Sequence, residues 1–127
     1  MAESRDYFSQ NADNGVIQVS EEVVASIAAM AALDVDGVCE LAGSLGSEFA
    51  EMLGRKQISK GVRVESESDN SVNIDCDVIA NFGVPVFELG RSVQQAIRAS
   101  LESVTGLTVN KINVNICGVD LPKESKK

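Results

Sequence analysis

Two hydrophobic periods divide the chain. In "GVRVESESDNSVNIDCDVIA" (residues 61–80), Val62 and Val64 alternate with Arg63 and Glu65, and Val72, Ile74, Cys76 and Val78 alternate with Asn73, Asp75 and Asp77. This period of two predicts a hairpin of two half-buried strands turning at Asp69-Asn70. A three-to-four period follows. Pro85 suits the first turn of a helix, and Val86, Leu89, Val93, Ile97, Leu101 and Val104 recur at helical steps until Gly106. The closing "LTVNKINVNICGV" returns to alternation, with Ile112, Val114 and Ile116 on one side and Asn113 and Asn115 on the other. Its phase changes near Lys111, which predicts a bulge there.

The first half reads similarly. "GVIQVS" alternates as a strand before Ser20, an N-cap followed by Glu21 and Glu22 where the helix dipole favours negative charge. Val23, Val24, Ile27, Ala28 and Ala31 then recur at helical spacing, and Gly37 is placed to follow the helix end. Val38 to Leu41 fit a short strand. Leu45, Phe49, Met52 and Leu53 mark one face of a short extra helix flanked by glycines. Residues 1–14 lack sustained periodicity and end in the turn cluster "NADNG", so they are expected to form a flexible arm. Residues 15–119 form one domain and 120–127 a polar tail.

Strand-helix-turn-strand occurs twice, with "VDGV" at 35–38 echoed by "VTGL" at 104–107. Two such units separated by a hairpin predict an α+β fold: a two-layer sandwich with a mixed β-sheet, two main helices packed on one face and the short extra helix.

Composition narrows the chemistry. The 127 residues suit a single core, which five aromatics and no Trp leave to Val, Ile, Leu and Ala. A net charge of −8 repels phosphate backbones and anionic lipid, disfavouring free nucleic acid and bare membrane as partners. With no His, the commonest general base and zinc ligand is missing. Cys39, Cys76 and Cys117 are odd in number and widely spaced, which argues against a disulfide framework; each reads as a small buried hydrophobe. No apolar run approaches the roughly 18 residues of a membrane span, and no apolar leader opens the chain, so a cytoplasmic protein without cofactor or metal is expected.

Four features invite a functional reading. Asp75 and Asp77 share a strand face about 7 Å apart, and with Glu65 opposite they are a conceivable oxygen-ligand cation site, although a solvated face explains them more simply. Together with Arg63, Asn73, Asn113 and Asn115 they make a polar sheet surface able to receive a partner. The apolar stripe of Leu45, Phe49, Met52 and Leu53 beside Arg55 and Lys56 has the composition of a docking helix. The loop Gly43–Gly46, "GSLG", has the G-x-x-G form with which K-homology domains clamp RNA, supported by Arg55, Lys56 and Lys60, but Glu40, Glu48 and Glu51 surround it.

The segments "GVIQVSEEVVASIAAMAALDVDGV", "KGVRVE", "VNIDCDVIANFGVPVFELGRSVQQAI" and "VTGLTVNKINVNICGV", taken together, resemble the alkaline shock protein family of Gram-positive bacteria over about residues 15–119. The "GV" after the first helix, the "FGVPV" helix entry and the closing "VNKINVNI" carry that resemblance. It implies a non-enzymatic protein of the envelope stress response, associating with itself and/or with a small membrane-anchored partner at the cytoplasmic side of the membrane, without inserting directly. No catalytic motif comes with it. The alternative function is an RNA-binding module built on the Gly43–Gly46 loop.

Overall fold

The computed structural model describes residues 7–42, 61–68 and 70–121. Its elements run β1 (Tyr7–Ala12), β2 (Gly15–Ser20), α1 (Glu21–Leu33), β3 (Val38–Leu41), β4 (Val62–Ser68), β5 (Ser71–Asn81), α2 (Val86–Thr105) and β6 (Thr108–Asp120). The fold is α+β. A mixed sheet carries both helices on one face, and a two-stranded sheet, β1 with β2, stands apart from it.

β5 is the hub of the main sheet. Along one edge it pairs antiparallel with β4 and then with β3, and along the other it pairs parallel with β6 over its whole length. β3 and β4 therefore lie end to end on a single edge. Leu41 stands opposite Val78, the Asp77 N–H donates to the Gly61 carbonyl at 2.9 Å, and Val62 stands opposite Cys76. The chain leaves this edge after Leu41 and rejoins it one position along β5.

Alternation decides which face is dry. Val72, Ile74, Cys76, Val78 and Ala80 of β5 are buried, while Asn73, Asp75 and Asp77 between them face the open side. α2 lays Leu89, Val93, Ile97 and Leu101 over this row, the stripe that its period predicts. α1 contributes Val24, Ala28 and Ala32, whose small side chains let it approach β3, β4 and α2 closely. Val104, the last member of the predicted α2 stripe, is exposed instead: Thr105, four residues after Leu101, takes the half-buried position of that turn.

Local chemistry accounts for the boundaries. Ser20 Oγ accepts the Val23 N–H at 3.2 Å and starts α1. Gly37 has φ +104°, a backbone conformation that strains any other residue, and a Cβ there would lie 3.0 Å from Leu89 Cδ1, which would have to shift to admit it. The predicted bulge in β6 is present: Val72 pairs Val109 but Asn73 pairs Lys111, leaving Asn110 as the extra residue. A second bulge falls between Ile116 and Gly118, where Cys117 is extra.

Three expectations are corrected. Tyr7–Ala12 is a strand, not part of an arm: "NADNG" supplies a two-residue hairpin turn at Asp13-Asn14, and Phe8, opposite Val19, is buried in the core. Consequently β2 pairs with β1 and does not join the main sheet, so the first strand-helix-strand unit does not form as drawn. Of the three cysteines only Cys76 is buried; Cys39 and Cys117 lie on the exposed side of their strands. The short extra helix, with Leu45, Phe49, Met52 and Leu53, falls outside the described residues.

Burial pushes the Cys76 thiol up to about 12, which leaves almost no reactive thiolate at neutral pH. A thiol reagent is therefore expected to modify Cys39 and Cys117 in the native protein and Cys76 only on denaturation. Mass mapping of the labelled peptides checks this, and equal labelling of all three would contradict the core packing.

Candidate functional site

Two surfaces of the main sheet carry features beyond stability. The first is the open polar face. Arg63 of β4 reaches across its partner Asp75 to clasp Asp77, with Nη1 to Oδ2 at 3.0 Å and Nη2 to Oδ1 at 3.5 Å. Asn115 of β6 donates to the same carboxylate at 2.8 Å. A second clasp lies nearer the hairpin turn, where Glu67 accepts from Asn73 at 3.3 Å and from Asn110, the bulged residue of β6, at 2.9 Å. Each clasp ties all three strands together.

Partial burial, the largest single influence on Asp77, raises its carboxyl pKa. The hydrogen bonds from Arg63 and Asn115 and the guanidinium charge together outweigh it, so the pKa lies below the usual carboxylate value. The aspartates are thus held by Arg63, and Glu65 stands opposite Asn73, not opposite Asp75 or Asp77. No cluster of three acids or thiols forms a metal site among the described residues. Asn113 faces outward beside Asp75 without joining either clasp. Asp75, Asp77, Asn113 and Asn115 do share one surface, as the alternation predicts. Leu45, Phe49, Met52, Leu53, Arg55, Lys56 and the Gly43–Gly46 loop lie outside the described residues.

The second surface is a groove that sequence reasoning missed. Among the described strands β6 is the outermost on its side of the sheet. In a parallel ladder, residues point their backbone groups alternately toward and away from the neighbour. On β6 the residues with core-facing side chains turn their amides and carbonyls outward. α2 covers part of this row: Arg98 donates to the Val109 carbonyl at 2.7 Å, Gln94 donates to the Ile112 carbonyl at 2.9 Å, and Glu102 accepts from the Val109 N–H at 3.5 Å. Beyond Ile112 the described residues give no further cover.

There the helix and strand diverge into a mostly apolar groove of about 680 Å³, lined by Val86, Phe87, Gly90, Arg91 and Gln94 of α2 and by Val114, Asn115, Ile116 and Val119 of β6. Phe87 is 83% exposed. Phe82 and Leu121, which directly follow the paired Asn81 and Asp120, extend the apolar surface at that end of the sheet. Among the described residues Arg91 makes no ion pair. The signals were visible in principle: Phe87 sits off the helix stripe, and Gly90 interrupts a strong helix. A smaller cavity of about 280 Å³ lies between the β1–β2 hairpin and the helices, lined by Phe8, Ile17, Val23, Val104 and Leu107.

Comparison with known proteins gives a consistent picture. The family model of the alkaline shock proteins, described as having a cell envelope-related function, matches residues 9–121. The chain is 34% identical over 113 residues to the uncharacterized protein YqhY of Bacillus subtilis, covering 89% of this chain and 83% of that one. It is 30% identical over 107 residues to the uncharacterized protein YloU of the same organism, covering 83% and 88% of the two chains. With the uncharacterized protein Spy1614 of Streptococcus pyogenes it shares 27% identity over 117 residues, covering 91% and 96%. No solved structure matches the chain.

The clasp on Asp77 has a pH signature. A carboxyl whose folded pKa is lowered adds stability that is fully present above its unfolded value of 3.8 and is lost as pH falls through the folded value. Asp77→Asn is expected to cost about 0.5–1 kcal/mol near neutral pH. That difference should shrink as pH falls below about 4. Urea unfolding of both proteins across this range checks it, and a cost independent of pH would show that the clasp's charge is immaterial.

Proposed function

The chain belongs to the alkaline shock protein family, with its cell envelope-related function, and from that premise we propose that it is a non-enzymatic adaptor of the envelope. It works by binding, to a small membrane-anchored protein's cytoplasmic segment or to a second copy, and it has no chemical step of its own. The observation that carries this reading is the half of β6 that the described residues leave unprotected beside a mostly apolar groove. A strand edge that carries exposed Val119, is followed by exposed Leu121 and has Phe87 across from it is the kind that proteins normally cover unless something binds there.

Charge and hydropathy support recruitment through protein and not through lipid. The net charge of −8 opposes attraction to an anionic leaflet. Among the described residues no helix is long and apolar enough to cross a membrane. The long helix α2 spends its apolar stripe on the core. A partner protein would therefore supply the attachment.

Flotation with inverted membrane vesicles from the native cell tests this. The purified protein is expected to float with untreated vesicles, to lose that binding when exposed vesicle proteins are first removed by protease, and not to bind vesicles of pure anionic lipid. A protein that stays in solution with all three and remains monomeric would overturn the adaptor reading.

A further inference from the structure

Gly90 stands inside a twenty-residue helix, where glycine costs about 0.5–1 kcal/mol relative to alanine. Among the described residues nothing asks for it: its φ is not positive, and a Cβ built there meets none of their atoms within 4 Å. This contrasts with Gly37, which its left-handed backbone requires and whose surroundings are tight. A glycine without an internal reason that lines a groove is explained by a close approach from outside the chain, and a passing backbone is what glycine admits best.

Two other features describe what passes. The outward amides and carbonyls of Val114 and Ile116 form a strand edge that α2 leaves uncovered, while Gln94 and Arg98 close the same edge from Val109 to Ile112. Such an edge accepts an extended segment by β-augmentation, with main-chain bonds supplying affinity and alternate side chains supplying selectivity. Arg91, one residue from Gly90, places a guanidinium without a carboxylate partner among the described residues in a mostly apolar lining whose other polar members, Gln94 and Asn115, are uncharged. A guanidinium desolvated by a docked chain needs a carboxylate.

We propose that the groove between α2 and β6 receives an extended, mainly apolar segment of another protein, which adds to the sheet beside Val114–Val119 with its backbone over Gly90 and one Asp or Glu side chain on Arg91. Apolar residues two positions before and after that acid would meet Phe87, Val114, Ile116 and Val119. The inference rests on the adaptor reading and names the chemistry of its partner. A second copy offering its own β6 fits poorly: the core-side row of that strand is Ile112, Val114 and Ile116, with no acid to meet Arg91.

Selection from a random peptide display library on the full-length protein tests the groove. Wild type should enrich an Asp or Glu flanked by apolar residues at two-residue spacing. Arg91→Glu should shift that position to Lys or Arg. Gly90→Leu, placed in open space and favoured in a helix, should keep or raise the thermal midpoint while weakening a selected synthetic peptide about tenfold or more.

No enrichment, an acid preference that survives Arg91→Glu, or full affinity in Gly90→Leu would overturn the proposal. So would a lowered midpoint in Gly90→Leu, which would mean that the chain itself fills the groove, or a wild-type dimer that this substitution dissociates. Vesicle binding that Gly90→Leu leaves intact would remove the groove and spare the adaptor. Absence of vesicle binding by wild type would remove the adaptor reading, and the peptide selection would still decide the groove.

Discussion

The pairing of β5 along both of its edges is the constraint on which the rest of the structure depends. One strand holds β3 and β4 on one side and β6 on the other, and its row of Val72, Ile74, Cys76, Val78 and Ala80 is the floor on which both helices rest. Each of these side chains is buried, so a one-residue slip of β5 would drive Asn73, Asp75 and Asp77 into the core. The two polar clasps act on the opposite face. Through Arg63 and Asn115, and through Glu67, Asn73 and Asn110, they hold the neighbours in register across β5.

This arrangement makes β6 an outer strand, and the fold covers only part of it. α2 lies along β6 because both belong to the β5–α2–β6 crossover, and its polar residues Gln94, Arg98 and Glu102 bond the outward carbonyls of Ile112 and Val109 and the Val109 N–H. Toward its N-terminus the helix turns Phe87, Gly90 and Arg91 to the same side, none of which closes the edge. Protection and exposure thus divide one strand. The protected half guards against indiscriminate strand pairing, and the open half remains available for a partner suited to its apolar lining and its single guanidinium.

Much of this was legible in the sequence because alternation and helical period report directly on burial. The hairpin of β4 and β5, the stripe of α2, the Ser20 cap and the phase change near Lys111 all follow from local pattern. β1 was not legible: in "YFSQNA" only Phe8 is anchored, and its partner strand, not its own alternation, makes it a strand. The end-to-end placement of β3 and β4 was equally hidden, since periodicity identifies faces and not neighbours. For the same reason the polar face of Asp75, Asp77, Asn113 and Asn115 could be read from one strand at a time, whereas the groove exists only where α2 and β6 part. Arg63 was read as one more polar residue; its role as the cation that occupies Asp77 needed the register to be known.

Among the described residues, α2 shuts β6 as far as Ile112 and leaves it open from Val114 onward. Residue-resolved amide hydrogen exchange of the isolated protein measures this directly. The account predicts slow exchange at Asn113 and Asn115, whose amides face β5, and fast exchange at Val114 and Ile116, whose amides face outward. Equal protection of all four would mean that the edge is already covered, and would contradict the account.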